Sequence, residues 1–303
     1  MDFKYSLNDR PRAAAMVMYA VQWLLIAVPV VLTSAFVARL QYDTLAEQTL
    51  YTQKLFAVMG LTMIVQSLWG HRLPLVAGPA AVLLVGVMAS IASSPDVIYT
   101  SIAVGGALVA LLATTGWIKK LQPLFTPRIS IVMMALIAFT IVPVFLRLIF
   151  ADAEHYGLSF VMALVLSIAM VVANNRLRGM WKSAVVLIAL VVGSAAYFAF
   201  AGLPSLEGAT AAGAGRLFIT PKFDVGVIVA FLICYIALLI NELGSVQSVS
   251  AYVEADNVPK RSTRGVALTG VMNVVAGAMG VLGPVDYTLS PGVIAATGCA
   301  SRY

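Results

Sequence analysis

Charge is scarce in this chain. Only 11% of its 303 residues are Asp, Glu, Lys or Arg, against about a quarter in a soluble domain, while 61% are hydrophobic and the mean hydropathy is +0.96. A surface this poor in charge excludes full exposure to water. Cysteine is nearly absent: Cys234 and Cys299, both in apolar surroundings, exclude a disulfide or zinc framework and read as small core residues. Histidine is equally rare. His71 and His155 adjoin Arg72 and Glu154 at expected loop ends, and read as solvated loop residues, not as a metal pair. No HExxH, Walker loop or Ser/His/Asp arrangement occurs, so no enzyme chemistry and no cofactor are expected. No cleavage site follows the first apolar run, which therefore reads as a retained span and not a signal peptide. The 13 methionines are scattered and read as core filler.

The chain has long apolar runs instead, of 17 to 25 residues, sufficient to cross a bilayer as helices. Lipid offers backbone groups no partners, which leaves helices or closed barrels; runs this continuous exclude the alternation of a barrel. The expected fold is an all-α polytopic membrane protein. Its spans fall at 13–37, 51–69, 75–93, 97–117, 128–148, 157–174, 182–202, 225–250 and 264–282, with a partial tenth from Pro291. Charge distribution tests that reading. With residues 1–12 as a cytoplasmic tail, segments on the cytoplasmic side hold 14 of the 19 Lys and Arg residues; the other side holds Arg39, Lys54, Arg147, Arg216 and Lys222. This positive-inside asymmetry places the protein in the plasma membrane with its N-terminus in the cytoplasm. It also explains the net charge of +6 as topology. Basic and aromatic residues do not interleave, so nucleic acid is not an expected partner.

Two spans are interrupted. "RLPLVAGPAAVLLVGV" carries Ala77, Gly78 and Pro79, and "GPVDYTLSPGVIAATG" carries Gly283-Pro284 and then Ser290-Pro291. In both, a small residue precedes proline as at a helix N-cap followed by N1. Each reads as extended backbone feeding a half-helix that starts at membrane depth. They are spans three and ten, an odd number apart, so they run in opposite directions. Broken segments in matching positions of two inverted halves point to a transporter's binding site.

The apolar run Val225–Ile240 ends in "NELG", Asn241 to Gly244. A carboxylate inside a span is costly unless it faces protein or water, so Glu242 is a candidate for substrate binding and for ion coupling; an ordinary end charge at the membrane interface is the alternative. Asp286, in "GPVDYT", either contacts a coupling cation or caps the break at Gly283-Pro284. Ser245 and Gln247 could line the same cavity or bond neighbouring helices, as could Gln22, while Trp23 could stack on a planar ring or merely pack.

These motifs resemble the nucleobase–ascorbate transporter family, the xanthine/uracil permeases. "LSPGVIAAT" is similar to the family's tenth-span signature, placing Leu289 and Ser290 at its first two positions, then Gly292 and Thr297; "GPVDYT" looks like the approach to it. "NELG" is similar to the eighth-span Glu-x-Ile/Leu-Gly, with Asn241 at the Glu position and the acid one residue late; Gln22-Trp23 stands at the family's Gln-His pair, and "KKLQPLFTPRISIVMMALIA" looks like its entry to span five. The likeness covers residues 13 to 303.

The resemblance implies seven-plus-seven inverted repeats: a core of spans 1–4 (13–120) and 8–10 (223–303) moving against a gate of spans 5–7 (121–222). The family's spans 11–14 have no counterpart here. Pro291 to Tyr303 is about 20 Å of helix at 1.5 Å per residue, too short to cross, and a fragment of a longer protein is expected in preference to a naturally shortened one. The implied function is secondary transport of a nucleobase-like small molecule, a purine or pyrimidine, coupled to H+ or Na+. The implied substrate set is Ala77, Gly78, Pro79, Asn241, Glu242, Leu289, Ser290, Gly292, Gln22 and Trp23. An anion carrier on the same fold is the alternative, because two opposed helix N-termini suit an anion. A non-transporting scaffold or receptor is the alternative from another class. Lipid is the expected surround, and a homodimer fits the reading.

Overall fold

The computed structural model describes residues 3–24, 28–117, 154–177, 185–202, 215–287 and 290–303, with a few isolated positions between 132 and 150. Most of the expected fifth span, 128–148, lies outside the described residues, as do 25–27 of the first span, 182–184 of the seventh, and Leu289.

In the first span the described residues form the helical stretches α1 (Ala13–Leu24) and α2 (Val28–Gln41). Then come α3 (Leu45–Leu68), strand β1 (Ala77–Pro79), α4 (Ala81–Ala89) and α5 (Pro95–Thr114). Further along are α6 (Tyr156–Arg176), α7 (Val185–Ala201), α8 (Val225–Tyr252), α9 (Val258–Ala278), strand β2 (Pro284–Asp286) and α10 (Ser290–Thr297). By length and composition, three of the described helices could cross a membrane: α5, α6 and α8.

Local chemistry sets the helix starts. Thr44 caps α3: its hydroxyl oxygen accepts from the Glu47 amide, and its O–H donates to the Glu47 carboxylate 2.7 Å away. Asp224 caps α8 by accepting from Val227 N at 3.0 Å. Thr44→Ala is expected to lower stability by about 1 kcal/mol. Thermal unfolding in detergent checks this, with Thr44→Ser expected to match the parent.

Membrane helices gain little by hiding apolar groups from lipid, so close packing must hold them together. Helices α5 and α9 meet through small residues. A Cβ on Gly270 would lie 2.5 Å from the Ala110 amide nitrogen, so no larger residue fits between the two backbones. Helix α8 packs on α4 and α5, burying Phe231, Tyr235, Leu238 and Leu243 against Leu83, Ile102 and Val87. In contrast, α6 buries no residue and exposes Phe160, Leu164, Ile168 and Val171, a face suited to lipid.

Both interrupted segments are extended where expected, and their strands pair antiparallel: Ala77 with Asp286, Gly78 with Val285, Pro79 with Pro284. One expectation needs correction. Pro79 is not the first helical residue of α4 but the last residue of β1; the helix starts at Ala81, and Ala80 is its N-cap. Ser290 is likewise already helical, with Pro291 second. Facing Pro284 across the ladder holds Pro79 extended, and a proline there costs no ladder amide.

Far from this ladder, the two ends of the chain meet. Tyr5 bridges Cys299 in parallel, Lys4 N donates to Gly298 O at 2.9 Å, and Ala300 N donates to Tyr5 O at 2.9 Å.

Candidate functional site

Extended backbone buried within a membrane protein leaves amides and carbonyls that lipid cannot satisfy. Around β2, each group finds a side chain or a neighbouring strand. Asn273, on α9, donates from Nδ2 to Pro284 O at 2.9 Å and to Thr269 O at 2.8 Å. Ser245, on α8, lies with its hydroxyl 2.8 Å from Asp286 O and 2.9 Å from Asn241 O. The Asp286 amide donates to Glu242 Oε2 at 2.9 Å. Tyr287 N reaches Val76 O at 2.8 Å, and Ala80 N reaches Gly283 O at 2.9 Å.

This fixes the orientation of "NELG". Glu242 is wholly buried, about 15 Å along the helix from the last residue of α8, and aims at β2. Its Oε1 accepts from the Thr269 hydroxyl at 2.6 Å, and Thr269 Oγ1 in turn accepts from Gln66 Nε2 at 2.8 Å. Asn241, about 100° around the helix, is half-buried. An interfacial end charge is therefore ruled out for Glu242: it serves as the acceptor that the strand lacks.

Asp286 does not cap the Gly283-Pro284 break, a task that falls to Asn273 at Pro284. Instead its carboxylate points to His71, with Oδ2 and Nε2 3.0 Å apart. The two atoms touch without the alignment of a hydrogen bond, and both are buried with no other partner. The expectation that His71 is a solvated loop residue is thus overturned. The ring is fully buried in the linker between α3 and β1, because Arg72 takes a left-handed backbone (φ 57°) that turns the chain and directs the two neighbours apart.

Ala77, Gly78 and Pro79 are buried in β1. At Gly78 a Cβ would fall 2.3 Å from the Tyr287 ring, whose hydroxyl donates to Pro79 O at 3.1 Å. Ser290 is buried at the start of α10; its Oγ accepts from Val76 N at 3.0 Å and donates to Tyr287 O at 2.9 Å. Gly292 is exposed, with open space around it. Ala77, Gly78, Pro79, Glu242, Asp286 and Ser290 thus converge on one short ladder. Trp23 does not join them. It packs on a separate apolar cluster with Leu73, Leu75 and Val246, beside a cavity of about 350 Å³. The Gln22 side chain and Leu289 lie outside the described residues.

Both half-helices begin at the ladder. The N-cap of α4, Ala80, has no side-chain cap, so no capping side chain meets the first amides of this helix and its positive dipole end. Sequence reasoning missed His71, Thr269, Asn273 and Gln66. A faint signal existed for one pair, since Thr269 and Asn273 stand one turn apart on α9.

The sequence model of the Permease family, Xan_ur_permease, matches residues 14–303. A protein of Clostridium perfringens named "Putative purine permease" is 27% identical over 195 residues, covering 62% of this chain and 43% of that protein. A "Putative purine permease" of Bacillus subtilis is 26% identical over 322 aligned positions, covering 95% of this chain and 70% of that protein. The chain thus spans less than half the length of the first of these relatives and about two thirds of the second.

Proposed function

We propose, because this chain belongs to the xanthine/uracil permease family, that it is a secondary transporter of a nucleobase-like substrate, a purine or pyrimidine. The observation that carries the reading is the antiparallel ladder of β1 and β2, from which α4 and α10 diverge with Glu242 buried beside it. A planar, hydrogen-bonding ring is a suitable ligand for the amides at such helix starts. Residues 13–120 and 223–303 form the moving core and 121–222 the gate; the coupling ion is H+, with Na+ the alternative, and Glu242 and Asp286 are its carriers. The relatives' names, as purine permeases, support the substrate class.

One observation favours an anion carrier as the second reading. Both Glu242 oxygens are already engaged, by the Asp286 amide and the Thr269 hydroxyl. That leaves neither oxygen free to accept from a neutral substrate, whereas helix N-termini suit an anion. Uptake of labelled xanthine and uracil into liposomes, competed with unlabelled xanthine, uracil and sulfate, separates the two. Competition by the nucleobases alone is expected; competition by sulfate alone would sink the nucleobase reading.

A further inference from the structure

His71 is placed as a moving part would be. Its Nδ1 accepts from the Leu73 amide at 2.9 Å, which puts the proton of the neutral ring on Nε2, facing Asp286. The ring therefore touches both halves of the ladder. Through Nδ1 it holds the segment that leads into β1, and through Nε2 it meets β2.

On its other flank is a cavity of about 160 Å³, lined by Gly70, His71, Arg72, Asn257, Arg261 and Arg264 among others. It lies between the end of α3 and the start of α9. Arg261 closes this flank, donating from Nη1 to the carbonyls of His71 (3.0 Å) and Arg72 (3.2 Å) and from Nη2 to Asp256 at 2.6 Å. The Arg261 guanidinium, and then the Asn257 amide, hold the Asp256 carboxyl below its usual range. Gly265 allows α9 to approach to 3.2 Å of the His71 Cβ, measured from an added Cβ.

We propose that His71 is a proton-binding site reached from this cavity, and that proton uptake there releases the linker into β1. The reading rests on the transport function proposed above, and adds the residue and route by which protons act. The balance is simple. A proton from cavity water adds to the Nδ1 lone pair, forming one N–H bond. The Leu73 amide loses its acceptor, and the new positive charge on the ring lies beside the Asp286 carboxyl, 3.0 Å from Nε2.

The charged groups around the ring set the direction. Asp286 on β2 faces the ring, and Glu242 on α8 behind it favours the charged ring. Arg261, with Lys260 and Arg264 on α9 and Arg72 beside it, opposes it. Burial outweighs them all and lowers the imidazole from 6.5 to about 4, with Glu242 opposing that shift and Arg261 adding to it. The sign follows by linkage. Because the closed state binds this proton more weakly than a hydrated ring does, acid in the window from about pH 4 to 6.5 drains the closed state towards one in which His71 meets water. Above that window the ring is neutral and the Leu73 bond is intact.

The test uses the full chain in detergent and in liposomes. Hydrogen exchange of the peptide spanning residues 69–76, corrected for the intrinsic effect of pH, is expected to lose protection as pH falls from 6.5 to 4, by up to about tenfold per pH unit. His71→Asn is the matched variant: its Oδ1 can accept from the Leu73 amide two residues on, as in an Asx turn, but it cannot take up a proton. It is expected to bind xanthine and exchange it at equal pH as the parent does, with flat protection across the window and loss of stimulation by an acid exterior or interior. A parent with no protection step between pH 4 and 6.5 would overturn the proposal, whether or not the variant folds. A variant that keeps the parent's pH profile would overturn it too. If neither protein transports xanthine yet the exchange step is present in the parent alone, the transport reading fails while the proton site stands.

Discussion

Glu242→Gln is expected to give a folded protein that no longer uses a proton gradient to accumulate substrate, whereas Glu242→Ala is expected to damage the fold itself. The difference follows from the two bonds at the carboxylate. Oε2 accepts from the Asp286 amide and Oε1 from the Thr269 hydroxyl. Glutamine keeps one carbonyl oxygen for the buried amide and turns its NH2 towards Thr269, whose hydroxyl must rotate, a rearrangement costing about 1 kcal/mol. Alanine leaves both donors buried and unmet, at about 1–3 kcal/mol each, and opens a cavity besides. Thermal unfolding in detergent should rank parent, Gln and Ala in that order. In liposomes the Gln variant should retain exchange at equal pH but lose gradient-driven uptake tenfold or more, the equivalent of about 1.4 kcal/mol. Undiminished gradient-driven uptake in Glu242→Gln would remove this carboxyl from coupling, and an unfolding temperature for Glu242→Ala equal to the parent's would refute its role as the strand's acceptor.

Two glycines near the ladder are expected to respond in opposite ways to the same added methyl. At Gly283 a Cβ would fall 1.7 Å from Asn273 Oδ1 and 3.0 Å from Leu83 Cδ1. Asn273 cannot yield, since Nδ2 bonds the Thr269 and Pro284 carbonyls and Oδ1 lies 2.9 Å from the Tyr235 hydroxyl. Gly283→Ala should therefore cost about 3 kcal/mol or more, through overpacking and the loss of the Pro284 bond. At Gly292 nothing lies within 4 Å of an added Cβ. Gly292→Ala should stabilise α10 by up to about 1 kcal/mol, as the helix scale implies. Any loss of uptake in that variant then reports a substrate that approaches the start of α10, because the fold offers no other cause. Normal xanthine uptake in Gly292→Ala would take that helix start out of the substrate path.

The interruptions were legible because they are local. Gly-Pro and Ser-Pro constrain the backbone wherever they occur, and Gly78-Pro79 and Ser290-Pro291 mark both half-helices to within two residues. What proline alone does not tell is which side of the helix boundary it occupies; Pro79 ended in the strand because Pro284 lies opposite, a partner more than 200 residues away. Helical periodicity brought Asn241 and Glu242 into view together but could not say which faces β2, since either choice suits a helix with polar neighbours. The answer came from the Asp286 amide. His71 was misread for a similar reason. Beside Arg72 it looks like a solvated pair, and only the left-handed turn at Arg72, with α9 packed behind it, sends one inward and the other out.

The pairing of Tyr5 with Cys299 carries a consequence for how the protein is made. The two residues are separated by nearly the whole described chain, so the N-terminal tail emerges from the ribosome long before its partner exists. Loop closure over such a separation is slow to form and opposed by entropy. Residues 4–9 therefore wait for the segment from Gly298 to Arg302. A bulky fusion at the N-terminus would be felt first there, as material that inserts but fails to close.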